Sequence, residues 1–61
     1  MRLAYLESER GNTLIFDDNT NPQTYTVIRT VDSVVLFGPG YSQVQVEAHC
    51  AGIDPSIVLV G

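Results

Sequence analysis

Three short stretches of this 61-residue chain, residues 13–16, 34–37 and 57–60, offer apolar side chains to both faces of a strand. Successive side chains on a strand point to opposite faces, so such stretches belong between two packed layers. The run "TYTVIRTVDSVVLFG" (24–38) shows the problem most clearly. Tyr25, Val27 and Val31 point one way and Ile28, with Thr26 and Thr30, points the other, whereas Val34, Val35, Leu36 and Phe37 leave no polar face. A single small sheet buries one face only, so something must cover the second.

A chain of this length buries only about 60% of the surface that its unfolded form exposes, and domains of this size usually lean on disulfides, a metal or a partner. One cysteine, Cys50, cannot form an internal bridge, and one histidine, His49, is too little for a structural zinc site. The expectation is therefore a homodimer that shares or exchanges strands, with a closed monomeric barrel as the alternative.

The rest of the chain fits an all-β reading of five or six short antiparallel strands, as a small barrel or packed sheets in one domain spanning residues 1–61. "RLAYLE" (2–7) alternates, with Leu3 and Tyr5 against Ala4 and Leu6. "SERGN" (8–12) is a turn with Gly11 at positive φ, and "DDNTNPQ" (17–23) is a polar loop ending at a pairing-incompetent Pro22. Turns are expected at Asp32-Ser33 and at "GPG" (38–40). "YSQVQVEAHC" (41–50) reads as an alternating strand, with Val44, Val46, Ala48 and Cys50 inward and Gln43, Gln45, Glu47 and His49 outward. After a turn at "AGIDP" (51–55), the uncharged "SIVLV" (56–60) makes a final strand, a poor free edge that invites another chain.

A hydrophobic fraction of 44% argues against disorder. No apolar run approaches the roughly 18 residues of a membrane span, and "MRLAYLESER" lacks the long apolar stretch of a signal peptide, so a cytoplasmic protein with no membrane partner is expected. The net charge is −4, with no lysine and only Arg2, Arg10 and Arg29 as cations, against binding driven by phosphate neutralisation.

With its strands laid out, the segment from residue 6 to about 47 resembles the carbon storage regulator family of small dimeric RNA-binding proteins. Leu6, Gly11, Thr13, Leu14 and Phe16 of "LESERGNTLIF" match that family's opening strand, turn and second strand. "YTVIRTVDSVVLFG" matches its next hairpin, and "VQVE" follows weakly. The resemblance implies a dimer with interleaved strands and binding of GGA-containing RNA through arginines. At the positions matching those arginines the chain carries Ser8 and Glu9, and Glu47, Ala48 and His49 after Val46. The family's C-terminal helix gives way to "IDPSIVLVG". Arg10 and Arg29 are left as the candidate RNA contacts.

The remaining motifs reduce to ordinary structure. His49 and Cys50 are adjacent, which on a strand separates them onto opposite faces and rules out a Cys–His pair. Asp17, Asn19 and Asn21 alternate as in a calcium loop, but Pro22 stands where glycine is needed and Ile28 where the bidentate glutamate should be. "FGPGY" lacks the lysine and the spacing of a phosphate-cradling loop. Tyr5, Tyr25, Tyr41, Phe16 and Phe37 suit a small core better than a nucleic-acid stacking platform without a basic groove.

No catalytic residue, cofactor, metal or small-molecule substrate is expected, and the chain reads as a non-enzymatic protein that works by contact. Besides the RNA-binding regulator, two classes fit. One is an acidic protein-binding module, of the kind phages use against host proteins, recognising its partner through Glu7, Glu9, Asp17 and Asp18. The other is a structural assembly subunit docking through Ile57, Val58, Leu59 and Val60.

Overall fold

The computed structural model describes residues 3–4, 7–57 and 59–60. In chain order the elements are β1 (Leu3–Ala4), β2 (Asn12–Phe16), β3 (Tyr25–Arg29), β4 (Val34–Tyr41), α1 (Gln43–Ile53) and β5 (Leu59–Val60). β2, β3 and β4 form an antiparallel sheet in that order, and β1 pairs with β5. The sheet is open, so the closed-barrel alternative is corrected.

The all-β expectation is corrected at residues 43–53. Glutamines and valines alternate there as on a strand, yet the local chemistry starts a helix. Ser42 is its N-cap: Ser42 Oγ accepts from the Gln45 N–H at 3.2 Å, and Gln45 Oε1 accepts from the Ser42 N–H at 2.9 Å. This reciprocal pair satisfies two donors that a helix start otherwise strands. The helix then buries Val46 and Cys50, one turn apart, while Val44 is 74% exposed and Ala48 is exposed too. At the other end the Asp54 N–H donates to the Cys50 carbonyl, and Pro55 follows. "VQVE" is accordingly helical, where the family resemblance places a strand.

α1 covers one face of the sheet. Among the described residues the core consists of Leu14, Tyr25, Val27, Val46, Cys50 and Ile57, with Phe16, Phe37 and Tyr41 packed against it. Register explains the set: Leu14 lies opposite Val27, Phe16 opposite Tyr25, and Val27 opposite Phe37. Fully burying a side chain of this kind contributes about 1.5–3 kcal/mol. The facings expected for Leu3, Ala4, Tyr5 and Leu6, the Arg2 cation and the side chain of Val58 lie outside the described residues.

The turn at residues 8–11 has Gly11 at φ +81°, as its sequence predicts. The β3–β4 turn falls at 30–33, with Ser33 at φ 58° and Val31 86% exposed rather than facing with Tyr25 and Val27. The turn expected at "GPG" is instead an irregularity within β4. Tyr25 pairs with Tyr41 and Val27 with Phe37, so Gly38, Pro39 and Gly40 stand against Thr26 alone. Gly38 lets the backbones meet there: at φ +99°, a Cβ on it would lie 2.7 Å from the Tyr25 carbonyl oxygen. Leu36 is a second extra residue, between the Val27–Phe37 and Ile28–Val35 pairs.

Candidate binding surface

The sheet's other face answers to the same register. Thr13 and Ile15 of β2, Thr26 and Ile28 of β3, and Val35 of β4 share it, since Thr13 pairs with Ile28, Ile15 with Thr26 and Ile28 with Val35. Each of these side chains is uncharged, and two carboxylates border them: Glu7, which bridges to Thr13, and Asp17, which accepts from Thr26 Oγ1. Ile15 is 41% exposed and Val35 is 53% exposed, and the bulged Leu36 beside them is 41% exposed. The double-sided apolar pattern of the sequence therefore has one face under α1 and one facing out.

Two carboxylates organise the ends of this sheet. At one end Asp54 is buried and accepts from Asn12 Nδ2 at 2.7 Å, from the Ser8 hydroxyl, and from the Ser56 hydroxyl and N–H. Burial pushes its carboxyl up, but the hydrogen bonds from Ser56, Ser8 and Asn12 outweigh this and hold it below the ordinary 3.8. The same end holds Arg10, whose Nη1 donates to the Ile53 carbonyl at 3.0 Å. At the opposite end Asp17 accepts from Thr26 Oγ1 at 2.6 Å, Thr24 Oγ1 at 2.7 Å and the Gly40 N–H at 2.9 Å. Here too burial raises the carboxyl and the hydrogen bonds from Thr24, Thr26 and Gly40 bring it below 3.8.

The candidate residues fall into place around these anchors. Asn12 pairs with Arg29, so the turn carrying Arg10 and the strand end carrying Arg29 lie at the same end of the sheet. Arg29 is ion-paired there with Asp32, Nη2 to Oδ2 at 2.6 Å. Glu7 bridges to Thr13 and Glu9 donates its N–H to Ser56 Oγ, placing both exposed glutamates at that end as well. Asp17 and Asp18 follow the far end of β2, so the four acids do not form one patch. Asp17 and Asp18 line an open groove of about 430 Å³ with Thr20, Thr24, Pro39 and Gly40. Ile57 belongs to the core, and Leu59 and Val60 pair with Ala4 and Leu3 of the same chain.

Cys50 lies on the buried side of α1, where burial and then the nearby Asp54 carboxylate push its thiol up, the opposite of an activated nucleophile. His49 is exposed and stacks on Phe37 at 5.2 Å, with Tyr41 at 5.1 Å. Tyr25 is fully buried edge-on to Phe16, so these two rings fill the core. Among the described residues no group of three His, Cys, Asp or Glu is placed to hold a metal ion, and no helix is long and apolar enough to cross a membrane.

The sequence reading missed Asp54 as an organiser and Ser42 as a cap. The second had a signal, since serine followed three residues later by glutamine is a helix-start pattern. The first had almost none: Asp54 meets Asn12 across 42 residues of sequence separation. Compared with known proteins, the chain matches no family model, and no curated protein or solved structure is significantly similar to it.

Proposed function

We propose that this chain is a non-catalytic binding module that recognises another protein through the outer face of its sheet. One observation carries the reading: the face holding Ile15, Ile28 and Val35 is apolar at its centre, with Glu7 and Asp17 at its margins, and is left open by α1. Beside it, Val34, Val35 and Leu36 run as three consecutive exposed apolar residues along the edge strand β4. Exposed apolar patches bordered by polar residues are how proteins present docking surfaces, and an uncharged sheet edge accepts an added strand.

Protein contact is favoured over the RNA binding that the carbon storage regulator resemblance implies. Arg29 shares its charge with Asp32, and Arg10 has Glu7 and Glu9 at its end of the sheet. A phosphate-binding surface needs unshared, clustered cations.

Selection from a displayed library of extended peptides on the immobilised protein tests the reading. Alternating apolar peptides should be enriched, and Val35→Lys should abolish their binding. A selection yielding nothing, or peptides indifferent to that substitution, contradicts it. Salt-sensitive retention of GGA-containing RNA hairpins, lost on Arg10→Ala or Arg29→Ala, would put the RNA reading in its place.

A further inference from the structure

We propose that the first occupant of the outer sheet face is a second copy of this chain, the two sheets packing face to face with the helices outside. The inference rests on reading that face as a docking surface and goes further by naming what covers it. Three features of the molecule point to a copy of itself.

The first is the size of the core. Among the described residues, six buried apolar side chains make up the core. Cys50 is a free thiol, and no metal-holding cluster exists among the described residues. A domain of this size with neither staple gains most from burying further apolar surface against a partner.

The second is charge. With net charge −4, two copies repel wherever their acidic residues meet. Residues 33–46 are the longest stretch without a charged side chain, and they include all of β4. Thr13, Ile15, Thr26 and Ile28 extend that neutral zone across β3 and β2. Glu7, which bridges to Thr13, and Asp17, which accepts from Thr26 Oγ1, border this face, and the ground between them, around Ile15, Ile28 and Val35, carries no charge to repel a copy. Across a two-fold axis the same patch meets itself, and a neutral apolar patch is self-complementary.

The third is area. The molecule measures 28 × 19 × 18 Å. A stable interface takes about 800 Å² from each partner, which here requires essentially one whole broad face. The face under α1 is already used, and among the described residues the exposed apolar side chains gather most densely on and beside the outer sheet face, at Ile15, Val34, Val35 and Leu36. Sheets stacked this way sit about 10 Å apart, the spacing at which Ile15, Ile28 and Val35 interdigitate with their counterparts.

Light scattering of the purified chain over a wide concentration range, with isotope-filtered NMR on a mixed labelled and unlabelled sample, tests the proposal. The expected mass is twice the 6.7 kDa of one chain, with intermolecular contacts from the Ile15, Ile28 and Val35 methyls. Val35→Lys and Ile15→Lys alter exposed positions and should each give a folded monomer by circular dichroism. Val44→Lys, on the exposed side of α1, should leave the dimer intact. A monomer at every concentration overturns the proposal, and so does a dimer whose contacts arise from Val44 and Ile53. A monomer that still captures extended peptides in a Val35-dependent way would overturn the self-association alone and leave the docking surface standing.

Discussion

Asn12 and Asp54, 42 residues apart in sequence, meet in a buried hydrogen bond of 2.7 Å that ties the start of β2 to the end of α1. Ser8 donates to the same carboxylate oxygen, and its own Oγ accepts from the Asn12 N–H at 3.1 Å. Asp54 also receives the Ser56 hydroxyl, so one side chain fastens the 8–12 turn, the helix end and the approach to Ile57.

Asp54→Asn turns an acceptor-only group into one whose amide opposes the Ser8 and Asn12 donors. A buried donor left unsatisfied costs about 1–3 kcal/mol. The variant should unfold at a clearly lower urea midpoint, with an unchanged slope. A midpoint equal to wild type would show that the carboxylate does not hold these segments together.

Acid should act through the same group and through Asp17. Both carboxyls sit below 3.8 in the folded chain, because hydrogen bonds to the charged form outweigh burial. A folded value depressed below the unfolded one contributes stability that is complete above the unfolded value and lost as pH falls through the folded one. The urea midpoint should therefore hold steady above about pH 5 and drop below about pH 4. In Asp54→Asn the drop should shrink, leaving the part due to Asp17 and other carboxyls.

Two glycines at positive φ should respond differently to alanine. Gly11, at φ +81°, has open space around it, so Gly11→Ala carries only backbone strain, about 1 kcal/mol. Gly38→Ala adds a Cβ 2.7 Å from the Tyr25 carbonyl oxygen and 2.8 Å from Thr26 Cα, both backbone atoms that cannot move aside cheaply. Thermal unfolding should show a loss several times larger for Gly38→Ala, and equal losses would contradict the close crossing of β3 and β4.

The helix start rests on Ser42. Ser42→Ala removes the acceptor for the Gln45 N–H and should cost about 1 kcal/mol, with a matching loss of far-ultraviolet helical signal. Restoration by Ser42→Asp, an equally good cap, would separate capping from packing.

How far the sequence discloses this structure depends on the range of the interactions involved. The Gly11 turn, the 17–23 loop and the β2–β3–β4 hairpins follow from local pattern, and so does the double-sided apolarity behind the proposed surface. Residues 43–50 misled because Gln-Val-Gln-Val alternates like a strand while Val46 and Cys50 are also one helical turn apart. Periodicity could not separate the two over eight residues, and only the Ser42–Gln45 pair could. Two glycines around Pro39 suggested a turn, where the chain instead loops out of a continuing strand against Thr26. The acids at positions 7, 9, 17 and 18 look like one group along the chain, but β2 carries the two pairs to opposite ends of the sheet. Asp54 is legible only once the fold has brought Ser8 and Asn12 to it.

The central claim, that a second copy of the chain covers the outer face of the sheet, is tested most directly by methyl NMR with a soluble paramagnetic probe in concentrated and dilute solution. The Ile15, Ile28 and Val35 methyls should be shielded in concentrated protein and become accessible on dilution, while those of Val44 and Ile53 stay accessible throughout. Equal accessibility of all five residues at every concentration would contradict that self-association.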